Sequence, residues 1–155
     1  MENNNNRKVV WNACYGGFSL SREGVKRYYE LKYPGLKLYY YVYTLTSIGA
    51  GGSCTYERVD ENCESHFVVT LTKDFGDKFT VTRENAKEFN DHFVSNSEFE
   101  RHDPFLVRTV EELGDKASGD CAKLKVMDIG TKKYHIDEYD GYESVITKLG
   151  DDYWL

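Results

Sequence analysis

Residues 101–149, RHDPFLVRTVEELGDKASGDCAKLKVMDIGTKKYHIDEYDGYESVITKL, decide how this chain is read. Asp103-Pro104 is a helix start: aspartate caps free amides, and proline suits the first helical position. Leu106, Val110, Leu113 and Ala117 then recur at helical spacing, and Glu112 and Lys116 form an i,i+4 pair in the favourable order. Gly114 falls inside this helix, where it costs about 1 kcal/mol relative to alanine, so a close packing contact is expected there. Gly119 suits the left-handed position after the helix. Residues 121–129 read as a strand with Ala122, Leu124 and Val126 on one face and Lys123, Lys125 and Met127 on the other. Gly130–Lys132 turns this strand back into 134–139 as a hairpin, with Asp137 or Glu138 opposite Lys123 or Lys125. Asp140 and Glu143 have capping-box spacing, and Tyr142, Val145, Ile146 and Leu149 predict a last helix that Gly150 stops.

Working outward, residues 66–72 form a strand and 73–80 a turn region, and Thr82 caps a helix over 83–94. Residues 36–45, LKLYYYVYTL, alternate. Leu36, Leu38, Tyr40 and Val42 make an ordinary core face, whereas Lys37, Tyr39, Tyr41 and Tyr43 make a tyrosine ladder that is either covered by a helix or left as a contact surface. This strand is expected to pair antiparallel with 66–72, leaving 46–64 as a long loop. At the other end, 8–13 is a short strand and 21–33 a helix capped by Ser19 or Ser21 and ended by Pro34-Gly35. Strand, helix and second strand are expected to form a right-handed parallel unit. Residues 1–6 form an asparagine-rich tail without apolar side chains, expected to be disordered.

The resulting expectation is an α+β protein: one domain over residues 7–155, with a mostly antiparallel sheet of about five strands packed by about four helices. The 155 residues are 40% hydrophobic and 30% charged, enough to build a core without disulfides or metals. A net charge of −6 argues against broad nucleic-acid binding. No apolar run reaches the length of a bilayer span, and MENNNNRK has no apolar core, so neither membrane insertion nor a signal peptide is expected. Cys14, Cys54, Cys63 and Cys121 lack a CxxC spacing and are expected as free thiols in a reducing compartment.

Chemistry concentrates in two short stretches. Cys14-Tyr15-Gly16-Gly17-Phe18-Ser19 lies between a strand and a helix, where paired glycines permit close approach of a backbone or a ligand. A helix N-terminus there would receive an anion such as a phosphate or carboxylate, or lower the pKa of the Cys14 thiol. The competing account is a tight turn whose small residues let strand and helix pack. Glu138-Tyr139-Asp140-Gly141 is the second candidate stretch, a turn that matters only if it lies beside the first. Gly49-Ala50-Gly51-Gly52-Ser53 is not followed by a helical pattern and fits no nucleotide fingerprint. Cys54, Cys63 and His66 have metal-like local spacing without an evident fourth donor. No metal, cofactor or catalytic set is therefore assigned. No spacing pairs Cys14 with His66, His92, His102 or His135.

Four segments, KVVWNACYGGFSLS at 8–21, LTKDFGDKF at 71–79, RHDPFLVRTVEELGDKASGDCAKLKV at 101–126 and IDEYDGYESV at 136–145, resemble in order a group of small uncharacterised proteins of large DNA viruses and tailed bacteriophages. The resemblance carries over to Cys14, Tyr15, Gly16, Gly17, Phe18 and Ser19, to Glu111, Glu112, Gly114, Lys116, Gly119 and Cys121, and to Asp137, Glu138, Tyr139, Asp140 and Gly141. It implies a viral accessory protein acting in the host cell cytoplasm, with virion association as an alternative, and it implies no reaction. The expected function is non-enzymatic binding of a host factor or a small anionic ligand such as a nucleotide. The competing classes are a thiol-dependent hydrolase or transferase using Cys14, and a structural or virion-associated protein.

Overall fold

The computed structural model describes residues 7–45 and 54–148. In chain order the elements are β1 (Arg7–Asn12), α1 (Arg22–Lys32), β2 (Tyr39–Leu45), β3 (Cys54–Val59), β4 (Val68–Leu71), β5 (Lys78–Val81), α2 (Ala86–His92), α3 (Pro104–Leu113), a 3-10 turn (Gly114–Ala117), β6 (Leu124–Gly130), β7 (Lys133–Tyr139) and β8 (Tyr142–Lys148). They divide into two compact units, Met1–Pro34 with Asn96–Leu155, and Gly35–Ser95. The architecture is α+β and every strand pairing among the described residues is antiparallel, but the strands form three small sheets rather than one of five strands. No described helix is long and apolar enough to cross a membrane. The asparagine-rich tail, the glycine-rich 49–53 segment and the stop at Gly150 lie outside the described residues.

The discontinuous unit is built on α3. Asp103 Oδ1 accepts from the Phe105 amide at 2.8 Å, and Pro104 opens the helix. Leu106, Val107 and Val110 of α3 are buried, as are Val9 and Val10 of β1 and Val25 and Tyr28 of α1. Ser21 caps α1 by accepting from the Gly24 amide at 2.9 Å. The two glycines of this region exchange the roles expected of them. Gly114 ends α3 with φ +60° and has nothing near its missing Cβ, so it serves the backbone and not a packing contact. Gly119 has no positive φ, yet a Cβ there would lie 3.0 Å from Ser19 Cβ, so it serves packing and not the left-handed position.

The expected hairpin of 121–139 does not form. β6 pairs with β1, with Val10 opposite Val126 and Trp11 opposite Lys125, while β7 pairs with β8. The proposed cross-strand pairs of Lys123 and Lys125 with Asp137 and Glu138 therefore do not exist. The last helix is also overturned: Tyr142–Lys148 is β8. Asp140 at φ +51° and Gly141 at φ +89° form a two-residue turn between Tyr139 and Tyr142. Positive φ at both central residues matches the right-handed twist of paired strands, and Asp-Gly is a preferred sequence for it. Asp140 is thus a turn residue and no helix cap. The β-branched run Val145-Ile146-Thr147 suits a pleated strand better than a helix. Nor is there a parallel strand–helix–strand unit, because β1 pairs antiparallel with β6 and β2 belongs to the other unit.

That other unit is a four-stranded sheet in the order β4-β2-β3-β5, with α2 against it. β4 pairs with β2 as expected, but β3 occupies 54–59, within the stretch read as loop, and β5 ends the region read as turn. α2 is shorter than expected. Thr82 does not cap it; the Thr82 amide instead donates to Asn85 Oδ1 at 2.7 Å. The tyrosine ladder is the covered face: Tyr41 is fully buried with Tyr56, Leu71 and Phe89, and Tyr39 and Tyr43 pack around them. The Tyr41 hydroxyl donates to the Gly76 carbonyl and accepts from the Phe75 amide, both at 2.9 Å, and Arg58 donates to it as well.

Candidate functional site

The two candidate stretches meet. The Gly16 amide donates to the Asp140 carbonyl at 3.1 Å. A Cβ on Gly141 would overlap the Gly17 amide nitrogen and lie 2.6 Å from that of Gly16. A Cβ on Gly16 would lie 2.7 Å from Cys121 Cβ. Residues 14–19 and 138–141 are therefore pressed backbone to backbone, and only glycine permits that approach. The Glu138 carboxylate tightens the turn by accepting from the Gly141 amide at 2.7 Å.

Three residues outside both stretches hold them together. Asn12, fully buried at the end of β1, donates through Nδ2 to the carbonyls of Cys14 at 2.8 Å and Gly141 at 2.9 Å. Its Oδ1 accepts from the Lys123 amide, and its own amide donates to Glu143 Oε1 at 2.9 Å. Glu143 is buried and receives Arg101 in a two-pronged pair, 2.5 and 2.8 Å. The Arg101 guanidinium lies 3.7 Å from the centre of the buried Phe18 ring. A cation over an aromatic face, paired with a carboxylate that takes a further amide donor, has the partners it needs away from water. Glu143 reads in sequence as a helix cap, and no pattern marks Arg101 as its partner. Asn12 carried one usable signal: it falls two residues after Val10 and so faces the same side of the strand.

No family model, curated protein or solved structure matches the chain. Its chemistry rests on the geometry alone.

This junction spends its polar groups internally. The N-terminus of α1 is closed by the Ser21 side chain, and a Cβ on Gly24 would lie 2.9 Å from the Ala117 carbonyl oxygen. That carbonyl places partial negative charge where an anion would bind. Cys14 is a half-buried free thiol preceding α1 by eight positions, and Cys121 is an exposed one. Three of the four histidines contact other groups: His102 meets Tyr134 and Glu100, His92 meets Thr72, and His135 meets Asp137. Among the described residues no three His, Cys, Asp or Glu side chains converge as a metal site, Cys54, Cys63 and His66 included.

The outer surface of the junction is aromatic. Tyr15 is 60% exposed, Tyr139 79% and Tyr142 37%. The Tyr15 and Tyr142 rings lie 5.3 Å apart, and Trp11 meets Tyr142 edge-on at 6.4 Å. Tyr139 and Tyr142 are directly opposed across the hairpin, so both rise from one face. Phe18 and Ser19 do not join this surface: Phe18 is buried under Arg101, and the Ser19 carbonyl accepts from the Gly119 amide.

Proposed function

We propose that this protein is a non-enzymatic accessory protein that binds a partner protein through the aromatic surface at the junction of residues 14–19 and 138–141. The observation that carries this reading is the exposure of Tyr15, Tyr139 and Tyr142 on a backbone fixed from beneath by Asn12, Glu143 and Arg101. Tyrosine offers a large amphipathic contact area at low entropic cost, and a pre-ordered scaffold lowers the cost of binding further. The resemblance to small proteins of DNA viruses and phages suggests a host factor as that partner, in the cytoplasm of an infected cell.

The anionic-ligand reading is weaker at this site. The Gly16 amide is already bonded to Asp140, and Asp137, Glu138 and Asp140 would repel an anion. The thiol-enzyme reading lacks a base among the histidine contacts described above. A photo-crosslinking amino acid at position 139, in protein expressed in its natural cells, tests the proposal. A single crosslinked protein species that disappears in Tyr15→Ala/Tyr142→Ala but persists in Cys14→Ala is expected. Crosslinking that is unchanged by the tyrosine substitutions would overturn it.

A further inference from the structure

Exposed carboxylates flank the exposed Tyr139. Residues 137–140 read Asp-Glu-Tyr-Asp and all are exposed; Asp137 shares the strand face of Tyr139 and Asp140 sits in the adjoining turn, whereas Glu138 lies on the other face with its carboxylate on the Gly141 amide. The adjoining 13–19 segment, ACYGGFS, carries no charged side chain. The nearby cation, Arg101, is already committed to Glu143 below the surface. The other cations to be weighed are the exposed Lys123, whose backbone bonds Asn12 and Ala13, Lys125 of β6, opposite Trp11, and His135, 3.4 Å from Asp137. This surface thus combines aromatic faces with a local excess of carboxylates. Aromatic faces attract cations through their quadrupole, and carboxylates attract them through charge. The same protein shows the pairing internally, with the Arg101 guanidinium between the Phe18 ring and Glu143.

We infer that the partner segment which docks here is basic: a loop or chain end whose arginine or lysine side chains lie over Tyr15, Tyr139 and Tyr142 and pair with Asp137 and Asp140. The inference rests on the partner-protein reading above and names the chemistry of that partner. Like-charge repulsion with these carboxylates disfavours a nucleic acid as occupant. A second copy of this chain, at net charge −6, is repelled overall, and a dependence on protein concentration alone would reveal it.

The test uses amide and tyrosine ring NMR signals of the full chain, titrated with short glycine–serine peptides carrying arginine, lysine, glutamate or leucine at equal positions. The arginine and lysine peptides are expected to shift Tyr15, Tyr139, Tyr142, Gly16 and Gly141, less so as salt rises. The variant Asp137→Asn/Asp140→Asn should bind the arginine peptide roughly tenfold more weakly. Asparagine tolerates the positive φ at 140, and Glu138 still accepts the Gly141 amide, so its remaining amide spectrum should be unchanged. Equal shifts from the leucine peptide, or arginine binding that survives the charge-neutral variant, would overturn the basic partner while leaving the partner-protein reading intact. Signals at these residues that respond only to protein concentration would instead indicate a second copy. Absence of any shift here, together with absence of crosslinking from position 139, would remove both readings.

Discussion

Gly141→Ala is the sharpest perturbation of the junction, and Gly17→Ala is its matched control. Both glycines have φ near the same value, +89° and +102°, so an L-alanine pays the left-handed backbone penalty at either, about 1–2 kcal/mol. They differ in space. Nothing lies within 4 Å of a Cβ on Gly17, whereas a Cβ on Gly141 would collide with two backbone nitrogens. Backbone cannot rotate away as a side chain can, so the collision adds about 1–3 kcal/mol of forced displacement. Urea unfolding followed by the amide signals of β1 and β8 measures the difference. With a slope of about 1–3 kcal/mol per M, Gly141→Ala should unfold roughly 1 M earlier than Gly17→Ala. Equal midpoints for the two variants would refute the backbone-to-backbone contact and with it the rigid platform under the tyrosines.

Removing Arg101 with Arg101→Met strands the Glu143 carboxylate in a buried site and should cost about 3–5 kcal/mol in urea unfolding, whereas an exposed pair such as Lys8 with Glu111 should yield under about 1 kcal/mol on Lys8→Met. Burial pushes the Asp103 carboxyl up, but hydrogen bonds from Tyr28, the Phe105 amide and Lys32 outweigh it and hold the carboxyl below its ordinary range. A depressed folded pKa stabilises above the unfolded value and is lost as pH falls through the folded one. The stability advantage of the native protein over Asp103→Asn should therefore be full at neutral pH and shrink below about pH 4, as read by thermal melts across pH. Tyr41→Phe removes the shared hydroxyl from the Phe75 amide and Gly76 carbonyl and should destabilise the Gly35–Ser95 unit by about 1–3 kcal/mol, with faster amide exchange at 75–76.

What was legible in the sequence was local. Ser21 and Asp103-Pro104 could be read because a cap satisfies amides within the next few residues. The alternation around Tyr41 could be read because pleating repeats every second residue, but the face assigned to the core was wrong in part: β2 begins at Tyr39, Leu36 is exposed, and of Leu36, Leu38, Tyr40 and Val42 only Tyr40 is buried. At 140–149 two local codes competed, a capping box and an Asp-Gly turn, and Tyr142, Val145, Ile146 and Leu149 fit a helix by spacing alone. The β-branched run 145–147 and the turn chemistry decided for a strand. The partner of β2 was legible in β4, but that of β6 was not, since the choice of β1 over β7 depends on residues more than a hundred positions away. The same holds for the site. Glycines at 16, 17 and 141 marked both sides of the contact, but the bond from Asn12 to Glu143 spans 131 positions and the pair Arg101–Glu143 spans 42. No local pattern encodes either.

The claim that this fold presents a protein-binding surface is tested most directly by native mass spectrometry of the full chain purified from its natural cells. The account predicts a retained partner of protein mass, lost in Tyr15→Ala/Tyr142→Ala and kept in Cys14→Ala. A retained small anion, or a covalent adduct on Cys14, with no partner protein would contradict it.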